Sequence, residues 1–224
     1  KKISQYGFSH WNEFNGLPQN YAHSVMQSSD GYIWCSTQEG LVRFDGIRFS
    51  YFDKTNTPLF INNYFTALTE APDGSMWIGT SGGGIYRYFN GEFTAPYENT
   101  NMNEEIIYCI AVLEDTLFYG TENGLKIISP RVNKWITQKD GLANPAVRSL
   151  MVEDDFVWVG TRGGLQKVSR DGDVTSVVFH AFSGGVDALY KDNDGTMWIG
   201  THGKGLYYMD TSGFQGFSYN SQLP

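Results

Sequence analysis

The sequence predicts an all-β fold made of repeated four-stranded units, and three observations lead to this prediction. A plan of a large aromatic residue, a variable residue and then Gly-Thr or Ser-Thr recurs five times, with spacings of 43, 41, 40 and 40 residues. Asp-Gly and Asn-Gly pairs, which supply the positive φ angles of tight hairpins, separate the apolar runs. The 3.6-residue periodicity of helical repeats is missing, so a period of about 40 residues indicates the blades of a β-propeller. The leading aromatic residues are Trp34, Trp77, Phe118, Trp158 and Trp198.

Each unit has the same order of elements, which the first unit illustrates. Its strands are expected at residues 22–27, 32–37, 41–45 and 47–52, with an acidic turn after the first strand and a glycine turn after the second. The large ring of the second strand would fill the space between blades, where one aromatic side chain buries on the order of 200 Å². A glycine in a strand suits a place where a neighbouring blade comes close. The strand glycines are Gly79, Gly120, Gly160 and Gly200.

The five units form one propeller domain that covers residues 1–224. The Ile3–Phe14 segment resembles an outer strand that has no blade of its own, and unit five already has a last strand at Phe214–Tyr219. We therefore expect a piece of a larger propeller, because the surplus strand must complete a later blade. The alternative is a closed five-bladed ring in which one terminal strand is displaced. The expected unit boundaries are about 15–53, 54–97, 98–137, 138–179 and 180–219.

Composition excludes several classes of partner and site. The net charge is −8 and Lys and Arg are not clustered, which disfavours nucleic-acid binding. No apolar run approaches the roughly 18 residues of a membrane span, and we expect no signal peptide within the chain. The two cysteines, Cys35 and Cys109, occupy non-equivalent positions of different units, so we expect small buried side chains rather than a disulfide.

The units resemble the two-component regulator propeller repeat. The residues that carry the resemblance are Asp73–Thr80 and Gly84–Tyr88, and the N-terminal Trp11–Asn20 segment is also similar to this family. The resemblance implies a periplasmic sensor region of a membrane-bound bacterial signalling protein, within a propeller that is typically seven-bladed. It further implies an output by a histidine kinase, often a hybrid one, or by a diguanylate cyclase. Polysaccharide fragments are common signals among such proteins, so a carbohydrate or other small periplasmic ligand is expected by analogy.

One face of the propeller is the expected ligand face. The loops between units and the loops between second and third strands emerge together there. Their mixture of Tyr, Asn, Glu, Arg and His suits hydrogen bonding to sugar hydroxyls, although an ordinary solvated loop has a similar composition. The candidate residues are Tyr21, Gln38, Glu39, Asn63, Tyr64, Glu122, Asn123, Arg162, His202 and Lys204, flanked by Asn20, Asn62 and Asn144.

Other motifs are interpreted as turns or solvated residues. The Ser81–Gly84 segment lacks the following helix of a phosphate-binding loop, and Asp192–Gly195 lacks the distal ligands of a calcium loop. The four histidines lie in separate segments without metal-ligand spacing. We therefore expect no metal site, no cofactor and no catalytic residue.

Two classes of function follow. The first is a non-catalytic sensor and interaction module that binds a ligand or packs against its own signalling domains, with a homodimer favoured by exposed strand edges. The second is a propeller enzyme acting on polysaccharide, either a lyase or a glycoside hydrolase. A hydrolase needs two carboxylates and a lyase needs a base beside an Arg or His. The pairs that could serve are Glu39 with Glu122 and His202 with Arg162.

Overall fold

The computed structural model describes residues 7, 9–14, 16–97, 105–176, 184–210 and 213–216. These residues form five four-stranded antiparallel sheets, and in each sheet the strands are hydrogen-bonded in sequence order. The prediction of an all-β propeller fold is thereby confirmed. A single 3₁₀ turn at Gln138–Asp140 is the one helical element of the described residues.

The strands define five blades. Blade one consists of β1 (Ala22–Gln27), β2 (Ile33–Thr37), β3 (Leu41–Phe44) and β4 (Phe49–Phe52). Blade two consists of β5 (Phe65–Glu70), β6 (Met76–Thr80), β7 (Ile85–Phe89) and β8 (Glu92–Thr94). Blade three consists of β9 (Cys109–Leu113), β10 (Thr116–Gly120), β11 (Leu125–Ile128) and β12 (Asn133–Ile136). Blade four consists of β13 (Val147–Glu153), β14 (Phe156–Thr161), β15 (Gly164–Ser169) and β16 (Val174–Ser176). Blade five consists of β17 (Val186–Lys191), β18 (Met197–Thr201), β19 (Gly205–Asp210) and β20 (Gly213–Gly216).

The blades follow one another in an arc. The first strand of each blade contacts the first strand of the next, from β1 through β5, β9 and β13 to β17. No comparable contact joins β17 to β1 in the part of the chain that the structure describes. Blades one and five therefore each have one face without a neighbouring described blade.

The hydrophobic core lies between blades rather than within a sheet. In each of the first four blades, the aromatic residue of the second strand packs into the seam with the following blade. This arrangement buries the large ring against aliphatic and aromatic side chains of the next blade. The four seams contain Trp34 with Phe65, Met76 and Ile78; Trp77 with Ile107, Leu117 and Tyr119; Phe118 with Val147, Val157 and Val159; and Trp158 with Val186, Met197 and Ile199.

Three of the four strand glycines, those of blades two, three and four, sit at points of closest approach between blades. A Cβ atom built on Gly120 would lie 2.5 Å from Val147 of the next blade, and one built on Gly79 would lie 2.6 Å from Ile107. A Cβ at Gly160 would lie 2.8 Å from Val186. Only glycine leaves room for these neighbours, because real Cβ atoms do not come so close to other heavy atoms.

The N-terminal segment differs from the expected outer strand. Residues 9–14 of the expected Ile3–Phe14 strand form no strand, with a turn at Glu13 and Phe14 only, and residues 1–6 and 8 lie outside the described residues. The ring of Trp11 packs on Phe44 and Phe49 of blade one, with centroid distances of 5.1 and 6.1 Å. The described part of the segment thus contacts blade one through the Trp11 ring and does not pair with a strand of that blade. Residues 217–219 of the expected last strand also lie outside the described residues.

Both cysteines are free thiols. Burial raises the pKa of the Cys109 thiol to about 12 and also raises the pKa of Cys35. Each therefore behaves as a small apolar side chain, as expected from the sequence. Within the described residues, no helix is long and apolar enough to cross a membrane.

Candidate ligand face

In four of the five blades, the first strand carries an irregularity that removes one residue from the register. In four blades the pairing with the second strand skips a single residue, and in blade three Tyr108 takes the corresponding place directly before β9. Such a bulge bends the strand and re-aims a side chain. The skipped residues are His23, Thr66, Arg148 and Asp187. They lie beside the turns that join second and third strands, where the candidate ligand face was expected.

The first group of face residues joins blades one and two. The ring of His23 lies with its centroid 4.8 Å from that of Tyr21 and 5.0 Å from that of Tyr64. The Gln38 side-chain amide donates to the Tyr64 hydroxyl at 3.2 Å, across 26 residues of sequence. Burial lowers the pKa of His23, whose buried Nε2 atom has no hydrogen-bond partner among the described residues. The group combines aromatic rings with amide and hydroxyl groups.

The second group joins blades three and four through one carboxylate. Arg148 Nη2 donates to Glu122 Oε2 at 2.6 Å, and Arg162 Nη1 donates to Glu122 Oε1 at 3.0 Å. The Arg148 guanidinium lies over the Tyr108 ring, with its carbon 3.9 Å from the ring centroid. Bulge residues and turn residues of two blades are therefore brought together at the seam.

The third group lies on blade five. His202 Nδ1 is 3.0 Å from Asp187 Oδ2, so the turn after β18 contacts the bulge of β17. Lys204 in the same turn is exposed. As at the seam of blades three and four, a bulge residue here contacts a turn residue. In blade five both residues belong to the same blade.

The remaining candidates have individual environments. Asn63 Oδ1 accepts from the Lys54 backbone N–H at 2.9 Å, and Asn123 Nδ2 approaches Glu105 Oε1 at 3.5 Å. Glu39 is exposed. The three flanking asparagines brace loops through main-chain groups: Asn20 binds Glu13 N–H, Asn62 binds Ser81 O and Tyr64 N–H, and Asn144 binds Ala146 N–H. A role for these residues in ligand binding stays a prediction.

Neither of the pairs considered for catalysis forms a contact among the described residues. Both carboxylate oxygens of Glu122 are bound by arginines rather than directed toward Glu39. His202 binds Asp187, while Arg162 binds Glu122. The charged groups of this face are tied to each other across blades and turns.

Five residues beside the expected face were missed in the sequence: His23, Thr66, Tyr108, Arg148 and Asp187. Their sequence signal is a three-residue pattern: an apolar or small residue, then a polar or aromatic residue, then a small residue. Val147-Arg148-Ser149 and Val186-Asp187-Ala188 are examples. The second small residue pairs with the strand glycine, as Ser149 does with Gly160. Because Ser149 and Gly160 are both small and pair across the two strands, the side chain of the skipped residue Arg148 lies outside the seam. A search for this pattern would have found the bulges.

The turn motifs have structural roles. Gly83 N–H donates to Thr80 Oγ1 at 2.9 Å inside the glycine-rich turn. Asp192 Oδ1 accepts from the Thr196 backbone and Oδ2 accepts from Trp198 Nε1, and the Trp198 bond is the main cause of the lowered pKa of Asp192. No group of three or more potential metal ligands occurs among the residues that the structure describes.

A groove of about 500 Å³ lies on the inner strands away from the ligand face. Its walls include Ile110, Leu150 and Val152. Its carboxylate, Glu70, already accepts hydrogen bonds from the backbone and hydroxyl of Ser29. The groove offers volume but few available polar groups, so side-chain chemistry favours the ligand face as the functional site.

Comparison with known proteins begins with the repeats. The family described as two component regulator propeller matches residues 16–39, 59–82 and 182–203. Each segment contains the first and second strands of one blade: β1 and β2, β5 and β6, and β17 and β18. No curated protein matches the chain in sequence.

Solved structures share the fold at low sequence identity. The extracellular domain assigned to a hybrid two component system of B. thetaiotaomicron is 23% identical, with a TM-score of 0.76 over 96% of this chain and 30% of that chain. A second extracellular domain from B. thetaiotaomicron, assigned to a one component system, is 20% identical with a TM-score of 0.70, over 95% of this chain and 32% of that chain. Virginiamycin B lyase from Staphylococcus aureus is 16% identical with a TM-score of 0.65, over 88% of this chain and 70% of that chain. The chain thus spans about a third of the length of the two extracellular domains.

Proposed function

We propose that this chain is a non-catalytic sensor and interaction module of a membrane-bound bacterial signalling protein, because three of its repeats match the two component regulator propeller family. The observation that carries the proposal is the match of three repeats, in blades one, two and five, to that one family. A propeller of this kind presents a rigid face from which a bound ligand can shift the position of neighbouring domains.

The periplasm is the proposed location, and the output is a histidine kinase or a diguanylate cyclase. Two solved structures with the same fold are described as extracellular domains of signalling systems, which supports an extracytoplasmic position. The partners of the module are then its own membrane-anchored signalling domains.

An extracytoplasmic glycan is the proposed signal. The Tyr21, His23 and Tyr64 rings and the Gln38 amide offer stacking surfaces and hydrogen-bonding groups at blades one and two. Sugars bind to such combinations, because their ring faces are apolar and their hydroxyl groups are directional.

The test uses the full-length protein that carries this chain. Kinase autophosphorylation or cyclic dinucleotide formation is measured while a set of oligosaccharides is added. We expect an oligosaccharide to change the output, and we expect the combined Gln38→Ala and Tyr64→Ala variant to lose that response. Glu92→Ala on the outer strand β8 is the control, because this exposed residue is remote from the ligand face. An output that no variant of the ligand face alters would contradict the proposal.

A propeller enzyme acting on polysaccharide is the second candidate, because the propeller fold also occurs in an enzyme, virginiamycin B lyase, although that lyase is named for a different substrate. Incubation of the chain with polysaccharides, followed by analysis for new reducing ends or unsaturated products, distinguishes the two. Turnover that is lost in His202→Ala or Arg162→Ala would replace the sensor proposal with this one.

A further inference from the structure

The rim between blades three and four holds more positive charge than negative charge. We propose that the cluster of Tyr108, Glu122, Arg148 and Arg162 is a subsite for the carboxylate group of an acidic sugar residue. This inference rests on the proposed sensor function and specifies the chemistry of its ligand. Glu122 follows β10, while Arg148 is the bulge residue of β13 and Arg162 follows β14.

The bound geometry of Glu122 shows that a carboxylate fits this place. Its two oxygens are held by different guanidinium groups, at 2.6 Å from Arg148 and 3.0 Å from Arg162. A guanidinium group has five N–H donors, and each of these arginines uses one of them in a hydrogen bond to Glu122. The remaining donors of both arginines can bind a second anion in the forked geometry that suits a carboxylate.

The charge of the cluster distinguishes it from the other arginine ion pairs of the described residues. Arg87 pairs with one carboxylate, Asp73, and Arg170 pairs with two, Glu114 and Asp115. At the rim, two arginines share one carboxylate, so the ion-paired cluster itself has a net positive charge, while the Asp187 carboxylate of blade five is paired with His202. In a chain with a net charge of −8, an external anion is attracted to this place because of the local charge rather than the overall one.

The two arginines have different exposures that suit different tasks. The Arg148 side chain is 17% exposed and rests on the Tyr108 ring, which fixes its position before a ligand arrives. The Arg162 side chain is 56% exposed and can be reached from solvent. A preorganised cation beside an accessible one reduces the entropy that binding loses.

Neighbouring groups extend the subsite toward sugar hydroxyls. The Asp187 and His202 pair on blade five lies on the same face and offers further hydrogen-bonding groups. Glu122 also limits the site, because its carboxylate competes for the same guanidinium groups. Its replacement by the neutral glutamine keeps the shape while it removes the competing charge.

The test is a calorimetric titration of the full chain with galacturonate oligosaccharides. Galactose oligosaccharides of equal length and a sulfated disaccharide are the comparison ligands. We expect galacturonate to bind, and Arg162→Gln to weaken its binding at least tenfold, or about 1.4 kcal/mol, because a charge-assisted hydrogen bond is lost. Glu122→Gln is expected to tighten galacturonate binding several-fold and to leave galactose binding unchanged.

Arg170→Gln is the matched control, because this arginine is also ion-paired to carboxylates of blade three but lies in the turn after β15, at the other end of the strands. It should bind galacturonate as the unmodified chain does. No binding of galacturonate, or equal binding by Arg162→Gln, would overturn the subsite. Preferred binding of the sulfated disaccharide would overturn the carboxylate assignment. Binding of neutral oligosaccharides alone would remove this inference and still leave the sensor proposal standing, whereas polysaccharide turnover would remove the sensor proposal itself.

Discussion

His23 shows how a single bulge residue gains special properties. It leaves the register of β1 and its ring contacts the rings of Tyr21 and Tyr64. Burial there disfavours the charged imidazolium, so the pKa of His23 is lowered from its ordinary value of 6.5. The neutral ring is consequently the form that suits the folded protein.

The pH dependence of folding follows from this shift. Because the folded pKa is lowered, the unfolded chain binds the proton more readily, and the stabilising effect is fully present above about pH 6.5 and declines as the pH falls toward the folded pKa. We expect His23→Gln to flatten the free energy of unfolding between pH 7.5 and 5.5, measured by urea denaturation. Gln38→Ala is the control, since it alters the same group without removing a titratable side chain. An unchanged pH profile in His23→Gln would contradict the assignment.

The strand glycines provide a second prediction at this scale. Gly120→Ala should lower the free energy of unfolding by about 1–3 kcal/mol, because its Cβ would collide with Val147 and force the seam apart. The matched control is Gly200→Ala, whose Cβ would meet only Ala188 of its own blade, at 3.3 Å. We expect the control to change stability by no more than about 0.5 kcal/mol. Equal effects in a urea titration would show that the seam does not explain the glycine.

At the scale of elements, each blade is stabilised chiefly by its neighbours. The second strand sends alternate residues to opposite seams, as Trp158 packs toward blade five while Val157 and Val159 pack toward blade three. Side chains alternate between the faces of a strand, so one sheet serves two hydrophobic clusters. Polar contacts cross the seams as well, such as that of Lys191 of blade five with Glu153 of blade four.

The tryptophans of blades four and five test this dependence. Trp158 is fully enclosed at 3% exposure, so Trp158→Ala should cost about 3–5 kcal/mol. Trp198 occupies the same place in blade five and is only partly buried, so Trp198→Ala should cost less. The denaturant midpoints of the two variants, each compared with that of the unmodified chain, measure these two losses of stability. A larger loss for Trp198→Ala would mean that the fifth seam face is as well covered as the fourth.

At the scale of the whole molecule, the described blades present two exposed sheet faces. Tyr190 on blade five and Val25 on blade one are each 63% exposed. Their counterparts in other blades, Met151 and Leu68, pack into seams. Apolar positions that are buried in one repeat and exposed in another mark a surface suited to association.

We expect the isolated chain to self-associate through these faces, consistent with the homodimer proposed from its strand edges. Sedimentation velocity over a hundredfold range of concentration should reveal a rising average mass. Tyr190→Lys should reduce the association, because a charge on this face must be desolvated in the contact. The exposed Glu92→Lys variant on the outer edge is the control. A monomeric mass at every concentration would contradict the prediction.

The sequence by itself determined the strands, the turns and the blade repeat. The first strand was expected at residues 22–27 and forms at Ala22–Gln27, and glycines of the Asp-Gly turns, such as Gly31 and Gly195, have the predicted positive φ angles. These features depend on residues close in sequence, where hairpin geometry and alternating burial leave few alternatives. Residues 9–14 of the N-terminal segment do not form the expected strand, and Trp11 there packs on Phe44 of blade one.

Tertiary structure alone decided the composition of the ligand face. The sequence identified Glu122 and Arg162 separately, but their union with Arg148 required a bulge and a seam that bring together residues 26 and 40 positions apart. Local patterns determine backbone conformation because they act through neighbouring dihedral angles and hydrogen bonds. Contacts between turns of different blades depend instead on how sheets pack, and that information is distributed over the whole repeat array.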